Sequence, residues 1–236
     1  GAGLGRGVAR VEDGARMQLA GPGASLTVSA GNAAASAAPP TGNPAETSEL
    51  TVRTGGAVTV SGPDDPAATA GAGLTIGDGR AADGTVTVAG AEARLNVDGA
   101  VAPTLVAGSQ GQGSLTVREG AQVDSRFLFV ADGDATGQVT VEGAGSTLDL
   151  AGVAGSGAGA FAGLGASAVV GGAGRGSLTL RDGGSLDVSA PDGAAPALTV
   201  ARADGAVGTL TVTGAASSLR LDGPASGGAE RGVLTG

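Results

Sequence analysis

The sequence predicts an all-β protein, a right-handed, three-sided parallel β-helix of about seven coils. Three observations favour this fold: glycine is abundant along the whole chain, a short strand motif recurs, and two further strand patterns follow most copies of that motif. We interpret residues 1–236 as one β-helical segment, a fragment of a longer protein.

The glycine content argues against helices of ordinary length. Glycine supplies 48 of the 236 residues, and each glycine inside a helix costs about 1 kcal/mol relative to alanine. Disorder is disfavoured because 41% of the residues are hydrophobic, with leucine and valine in short bursts. The aromatic residues are three phenylalanines, so the predicted core is aliphatic.

A five-residue motif, GxLTV or GxVTV, marks the first strand of each predicted coil. Its alternation of apolar and polar residues is typical of a strand with one buried face. Gly113 and Gly137 begin copies that lie 24 residues apart, a spacing that accommodates three short strands and their turns. The motif occurs at residues 84–88, 113–117, 137–141, 176–180 and 208–212, with variants at 7–11 and 48–52, and residues 232–236 read as the start of an eighth unit.

Two more alternating patterns follow the motif, and we assign them to the second and third sides of the coil. Stacked coils would bury equivalent leucines and valines in columns. The second-strand patterns lie at 57–60, 94–97, 147–150, 185–188 and 218–221, and the third-strand patterns at 74–77, 104–107, 127–131, 168–171 and 198–201. The predicted inward pairs are Leu50 and Val52, Val86 and Val88, Leu115 and Val117, Val139 and Val141, Leu178 and Leu180, Leu210 and Val212 in the first strand, and Val58 and Val60, Leu95 and Val97, Leu148 and Leu150, Leu186 and Val188, Leu219 and Leu221 in the second.

Longer spacings between the motif copies indicate loop insertions near residues 29–48, 61–72, 151–166 and 189–197. An antiparallel sandwich of hairpins is the alternative β arrangement, but the recurring order of three strands argues against it. Neither end of the sequence carries a recognisable cap, so we expect the isolated segment to associate end to end.

Two unit types alternate along the chain. One reads GxGxLTVxxGxxV, at residues 5–17, 111–123 and 174–186, and the other reads GxVTVxGAxSxLxL, at 84–97, 137–150 and 208–221. This alternation resembles the glycine-rich β-helix repeats of autotransporter passengers and of PEP-CTERM-associated proteins, and the resemblance covers residues 5–236.

The resemblance implies a passenger domain exported by a Gram-negative bacterium to the cell surface, the outer membrane or the extracellular medium. Such a segment is expected to be attached in cis to a C-terminal β-barrel or sorting signal that this sequence does not include. Passengers of this kind often act as adhesins, so the implied partners are host or environmental surface glycans or proteins.

Charge and residue usage disfavour several other classes of function. The chain carries 22 acidic and 13 basic residues, a net charge of −9, without a basic patch or stacking aromatics. It is therefore a poor match for nucleic acid. No apolar run approaches the roughly 20 residues that span a bilayer, so we expect no membrane insertion by this segment. Histidine and cysteine are absent, which excludes the metal sites that depend on them.

The sequence assigns no catalytic, cofactor-binding or metal-binding residue. Asp149, Asp187 and Asp98 are candidates for a carboxylate cluster on one face, as a carbohydrate-active β-helix enzyme would need. Residues 132–134 (DGD), Asp64 with Asp65, and Asp78 with Gly79 offer oxygen ligands for calcium. We favour solvated outward or turn positions for all of these acids, and the calcium candidates in particular do not recur at one phase of the repeat.

A column of threonines occupies the centre of the first strand, and a row of mostly hydroxyl-bearing residues stands two positions earlier. We favour a plain ladder of stacked hydroxyls over an ice-binding surface, because Glu49, Gln138 and the arginines Arg53, Arg118 and Arg181 break its regularity. The column comprises Thr51, Thr87, Thr116, Thr140, Thr179, Thr211 and Thr235, and the earlier row Glu49, Thr85, Ser114, Gln138, Ser177, Thr209 and Val233.

Phe127 and Phe129 alternate with Leu128 and Val130, so one of these pairs must face outward. An exposed pair would suit a binding partner. We expect instead that the outward pair lies beneath an insertion such as the loop around Phe161.

These observations together favour a structural or adhesive passenger segment that acts as a rigid display rod and is not an enzyme. A carbohydrate-active β-helix enzyme is the alternative, and an ice-binding solenoid is a third, less favoured interpretation.

Overall fold

The computed structural model describes residues 7–30, 47–63, 71–101, 103–152, 164–190, 195–223 and 233–235, with the backbone alone for residues 164–165, 195 and 233–235. Every regular element in these ranges is a β-strand. Coils 1 to 4 contain β1 (Val8–Val11), β2 (Arg16–Ala20), β3 (Ser25–Ala30), β4 (Thr47–Arg53), β5 (Ala57–Ser61), β6 (Gly73–Asp78), β7 (Asp83–Ala89), β8 (Arg94–Asp98), β9 (Thr104–Ala107), β10 (Gln112–Arg118), β11 (Gln122–Ser125) and β12 (Phe127–Val130). Coils 5 to 7 contain β13 (Thr136–Glu142), β14 (Thr147–Ala151), β15 (Leu164–Val170), β16 (Arg175–Arg181), β17 (Ser185–Ser189), β18 (Ala195–Val200), β19 (Val207–Thr213), β20 (Ser218–Asp222) and β21 (Val233–Thr235).

The strands form three parallel seven-stranded sheets, one on each side of the coil. Sheet A contains the first strand of every coil, sheet B the second and sheet C the third. In sheet A the motif glycines are in register from coil 3 to coil 7, as Gly113 pairs with Gly84 on one side and with Gly137 on the other. The predicted fold, a three-sided parallel β-helix of seven coils, is confirmed, and the antiparallel sandwich is excluded.

The eighth unit predicted at residues 232–236 is wrong. β21 pairs with β18 in sheet C, with Val233 beside Ala197 and Thr235 beside Thr199, so it is the third strand of coil 7. The strand pattern could not distinguish these positions because all three sheets share the same alternation. Residues 197–200 (ALTV) look like a first strand but lie in the third.

The predicted insertions all join consecutive strands, although the strands extend into the predicted ranges. β3 ends at Ala30 and β4 begins at Thr47, while β15 begins at Leu164. The other two insertions fall between β5 and β6 and between β17 and β18. Most residues of the four insertions lie outside the described part of the chain.

The core is one column-packed aliphatic cluster that runs through all seven coils. The predicted inward pairs are buried from coil 2 to coil 6, and Val86, Val88, Leu115 and Val117 have no exposed surface. In coil 7 the equivalent side chains are partly or largely exposed, with Val212 at 44%. Coil 7 differs because its described strands have a neighbouring strand on one side alone.

The motif glycine is required by the corner that leads from sheet C to sheet A. A Cβ atom on Gly113 would lie 2.1 Å from the backbone nitrogen of Gly108, and one on Gly137 would lie 2.2 Å from the carbonyl oxygen of Ala107. Each motif glycine lies directly against the backbone of the corner that leads into its own strand and of the third strand of a coil below it, so a side chain there would collide with backbone.

Two kinds of corner connect sheets A and B. In coil 4, Glu119 and Gly120 have φ angles of 60° and 81°, as expected for a type I′ turn. Coils 1, 2 and 6 share this I′ corner, whereas coils 3, 5 and 7 have a wide corner with left-handed residues two positions apart, as at Gly143 and Gly145. The corners alternate from coil 2 onward, which matches the two unit types in the sequence.

Candidate functional site

The outward face of sheet B carries a column of carboxylates. Asp124, Asp149 and Asp187 are in register in coils 4, 5 and 6, and we call them the aspartate column. Adjacent parallel strands lie about 4.8 Å apart, so each carboxylate stands beside the next. Asn96 precedes the column in coil 3, and Arg220 follows it in coil 7.

The side chain of Gln122 links two members of this column. Its Nε2 donates to Asp124 Oδ1 at 2.7 Å and to Asp149 Oδ2 at 3.4 Å. Its Oε1 accepts a hydrogen bond from the guanidinium of Arg94 in coil 3. Asp124 and Asp149 are therefore held in a polar network that extends across coils 3, 4 and 5.

The surroundings of Asp124 and Asp149 raise the pKa of both carboxyl groups. Partial burial raises the pKa of Asp149, and the carboxylates of Asp124 and Asp187 raise it further. Burial also raises the pKa of Asp124, against the opposing effects of the Gln122 hydrogen bond and of Arg94. A half-buried carboxyl with a raised pKa that stands beside a second carboxylate is the arrangement that general acid catalysis of glycoside cleavage uses.

The three candidate aspartates lie on one outward face of sheet B but not in one column. Asp149 and Asp187 are neighbours, whereas Asp98 lies two positions along its strand from Asn96, in register with Ser61. Asp98 therefore occupies the adjacent column, although its carboxylate still contributes to raising the pKa of Asp124. The Asp98 carboxylate also accepts a hydrogen bond from the backbone nitrogen of Gly99 at 2.7 Å.

Sequence reasoning missed Asp124 because the short strand β11 carries one inward apolar residue, a valine, where the other second strands carry two. A signal was present. Asp124 and Asp187 both lie four residues beyond the glycine of an I′ corner, Gly120 and Gly183. Aligning corners would have placed Asp124 in the column.

The calcium candidates do not come together in the structure. Asp132 and Asp134 lie in the corner between β12 and β13, and Asp78 ends β6. Among the residues with described side chains, no group of three or more acidic residues is placed to hold a metal ion. Asp64 and Asp65 lie outside the described residues.

The threonine column on sheet A is confirmed from Thr51 in coil 2 to Thr211 in coil 7, because these threonines pair in register. Thr235 is wrong as a member, since it lies in sheet C beside Thr199. Val233 also lies in sheet C, so it does not belong to the row that stands two positions before the threonines. The paired residues of the column are, from coil 1 to coil 7, Arg10, Thr51, Thr87, Thr116, Thr140, Thr179 and Thr211.

Charged side chains interrupt and flank this hydroxyl face. Thr51 Oγ1 donates to Glu49 Oε1 at 2.8 Å, which ties the first threonine of the column to an acid. At the far edge of the sheet Arg181 pairs with Glu142 in the preceding coil, and Arg118 pairs with Glu119 at 2.6 Å. These contacts support the choice of a structural hydroxyl ladder, and ice binding stays a hypothesis.

Phe127 and Phe129 face outward from sheet C, since Leu128 and Val130 belong to the main core. The two phenylalanines form a second cluster with Val169 and are 0% and 5% exposed. The expectation that the outward pair is covered is confirmed. The loop around Phe161, which we expected to cover it, lies outside the described residues.

A buried arginine accompanies this second cluster. Arg126 occupies the corner between β11 and β12, is 2% exposed, and places its guanidinium carbon 5.0 Å from the ring centroid of Phe127. Such cation–π contacts stabilise a buried guanidinium, while burial lowers the pKa of Arg126. The sequence carried no signal for Arg126, because a single residue between two strands fits no repeat position.

The chain matches no protein-family model, no curated protein and no solved structure at a significant level. In the part of the chain that the structure describes, no helix has the length and hydropathy needed to cross a membrane.

Proposed function

We propose that this chain is a rigid display segment of a surface-exposed or secreted bacterial passenger, with a structural and adhesive function. The observation that carries the proposal is the continuous register of seven coils around one aliphatic core. Six coil spacings of about 4.8 Å give the stack a length of about 29 Å. Each inner coil is hydrogen-bonded on both sides, and this favours a stiff rod.

The distribution of residues supports an adhesive function for such a rod. Inward positions are mostly aliphatic, whereas the exposed and half-exposed outward positions differ between sheets, with hydroxyls on sheet A and carboxylates on sheet B. Contacts with surface glycans or proteins would be spread along these faces. The bacterial surface location rests on the resemblance of the two alternating unit types to passenger repeats.

The absence of cysteine from the sequence allows a direct test of surface location. In the native protein, Thr211→Cys places a thiol on an exposed outward position, and Leu148→Cys places one in the core as a matched control. A membrane-impermeant maleimide should label Thr211→Cys on intact cells and leave Leu148→Cys unlabelled. Labelling of Thr211→Cys that requires cell lysis would refute the surface location.

A second candidate function, cleavage of a polysaccharide, is favoured by one observation, the raised pKa of Asp149 between two carboxylates. The test is release of reducing ends from neutral and acidic polysaccharides at pH 4 to 7. The structural proposal predicts no turnover. Turnover that disappears in Asp149→Asn and persists in Asp134→Asn, an exposed corner carboxyl, would establish the enzyme instead.

A further inference from the structure

Uncharged polar side chains form a continuous stripe along the middle of sheet A. The stripe consists of the four members of the threonine column in coils 3 to 6 and the four residues two positions before them, Thr85, Ser114, Gln138 and Ser177. We call these eight residues the hydroxyl stripe. Seven of the eight carry a hydroxyl group, and the eighth, Gln138, carries an amide.

The hydroxyl stripe is open to solvent along its length. Its side chains are half-buried or exposed, while the residues between them, such as Leu115 and Val139, are buried. The corners on both borders of sheet A are short from coil 3 to coil 6, for example residues 108–111 before β10 and 119–121 after it. The insertions of coils 2, 5 and 6 leave instead between sheets B and C. A long, linear molecule can therefore lie along the stripe.

The stripe is also held rigidly from behind. Each of its strands, β7, β10, β13 and β16, is paired with a strand on both sides. Threonine is branched at Cβ, which restricts its side chain to few rotamers. Little conformational entropy would therefore be lost when a ligand binds to this surface, and low ordering cost favours binding through individually weak contacts.

The stripe carries no charge, in contrast to its surroundings. The neighbouring outward columns include Asp83 and Arg175 on one side, and Arg118, Glu142 and Arg181 on the other. The whole chain has a net charge of −9, so it repels polyanions at long range. The stripe offers a polycation no carboxylate to pair with. An uncharged partner is therefore the best match for this surface.

The hydroxyl groups of the stripe have hydrogen-bonding capacity for a polar ligand. In coil 2, just before the stripe, Thr51 donates to Glu49 at 2.8 Å. Among the described residues, no hydrogen bond of this kind engages the side chain of a stripe member. Each hydroxyl can donate one hydrogen bond and accept two. A ligand rich in hydroxyl groups can satisfy both functions.

The repeat of the stripe points to a polymer of neutral sugars. Successive coils present the same pair of side chains about every 4.8 Å, which is close to the length that one sugar residue adds to an extended hexose chain. A single hydroxyl contact adds little net affinity, so useful affinity must come from repetition along the axis. Gln138 interrupts the row of hydroxyls, which a flexible polymer tolerates better than a rigid ice lattice does.

We propose that the hydroxyl stripe binds an uncharged, linear polysaccharide that lies along the axis of the coil stack, with successive sugar residues against successive coils. The proposal rests on the adhesive function proposed above, and it names the face of the rod and the chemical class of partner that carry out that function. The aspartate column on sheet B has no part in this contact.

Affinity electrophoresis of the 236-residue chain tests binding, in native gels that contain xyloglucan, galactomannan or hydroxyethylcellulose. We expect retarded migration in at least one of these neutral polymers and none in polygalacturonate, a polyanion. The retardation should persist at high salt, because salt screens contacts between charges and the proposed contacts involve none. In calorimetric titrations with oligosaccharides of the retarding polymer, the affinity should increase several-fold with each added sugar from the disaccharide to the tetrasaccharide.

Two lysine substitutions in coil 5 locate the contact. Thr140→Lys places a charge in the middle of the stripe, and Thr147→Lys is the matched control at a half-buried outward position of sheet B. Thr140→Lys should weaken binding about tenfold or more, because it removes contacts to more than one sugar residue. Thr147→Lys should bind like the unaltered chain. Circular dichroism checks that both keep their β-structure, and Gln138→Lys, at an exposed position, replaces Thr140→Lys if that variant does not fold.

Absence of retardation in all three neutral gels, or equal weakening by Thr140→Lys and Thr147→Lys, would overturn the proposal. Ice shaping by a chain that no neutral polymer retards would assign the stripe to ice instead. These results leave the surface location untouched, because maleimide labelling of Thr211→Cys tests that location separately on intact cells.

Discussion

The hydroxyl of Ser146 in coil 5 accepts a hydrogen bond from the backbone nitrogen of Gly120 in coil 4, at 3.0 Å. Ser217 in coil 7 makes the same 3.0 Å contact with Gly183 in coil 6. In both cases the serine of a wide corner holds the I′ corner of the preceding coil. Coil 3 has Ala93 at this position, beside the I′ corner at Gly55 of coil 2.

The first prediction concerns this serine contact. Ser146→Ala should lower the free energy of unfolding by about 1 kcal/mol, because the hydroxyl is fully buried and its loss removes a hydrogen bond from Gly120. Ala93→Ser should raise it by up to about 1 kcal/mol by supplying the missing acceptor to Gly55. Urea denaturation measures both. Equal destabilisation by the two variants would contradict the interpretation.

The second prediction concerns the motif glycine. Gly137→Ala should destabilise the protein by about 3 kcal/mol, because its Cβ would lie 2.2 Å from the carbonyl oxygen of Ala107. Gly7→Ala is a matched control in the same column, where the nearest atom is Ser48 Oγ at 3.8 Å. Thermal unfolding should show a large loss for Gly137→Ala and almost none for Gly7→Ala. Similar losses at both positions would refute the corner contact.

The third prediction is the pH dependence of stability that the aspartate column produces. The pKa of Asp149 and that of Asp124 are raised in the folded state. At a pH between the unfolded and the folded pKa values of these carboxyl groups, the folded chain therefore binds more protons than the unfolded chain. Their contribution to stability is full below the unfolded pKa of about 3.9 and is lost as the pH rises through the folded values.

Denaturation at pH 4 and pH 7 measures this effect. Asp149→Asn should reduce the pH dependence and stabilise the chain at pH 7, because it removes a half-buried charge beside two others. Asp134→Asn, which removes an exposed carboxyl outside the column, should leave the dependence in place. A chain in which Asp149→Asn is destabilising at pH 7 would contradict the assignment.

The fourth prediction concerns Ala9 in coil 1, which lines a cavity of about 240 Å³ together with Met17, Leu26 and Leu50. Ala9 is in register with Leu50, so it is an alanine in a column of larger residues. Ala9→Leu should raise the free energy of unfolding by about 1 to 2 kcal/mol, because it adds apolar atoms to this cavity. Ala107→Leu is the contrasting control, since Ala107 has no exposed surface in coil 3 and the larger side chain should cost about 1 to 3 kcal/mol. Destabilisation by Ala9→Leu would show that the site is already filled.

Much of the fold followed from two local signals. Alternating leucine and valine identified most strands, and glycine at the start of the first strand identified the coil length, because Gly113 and Gly137 are paired neighbours. The second and third strands of coil 1 and the short strand β11 gave weaker patterns and were missed. β21 was placed on the wrong side because strands of all three sheets bury alternate residues in the same way.

The candidate site was less predictable, because it depends on which residues the coils bring together. Asp149 and Asp187 share a sequence pattern and were found, whereas Asp124 belongs to a strand with a different pattern. Gln122 became part of the network through the stacking of coils 4 and 5, which no single unit encodes. The position of Arg126 depends on the packing around the phenylalanines and not on the repeat.

The unequal lengths of the coils bear on how the chain folds. Gly113 and Gly137, which are paired across coils 4 and 5, are 24 positions apart, whereas the register between coils 1 and 2 joins residues 41 positions apart, such as Val8 and Glu49. Closing a shorter loop costs less conformational entropy. Nucleation of folding is therefore favoured in the middle of the chain, at coils 4 and 5. Growth toward both ends follows, and the pairing of coil 1 with coil 2 is among the last steps.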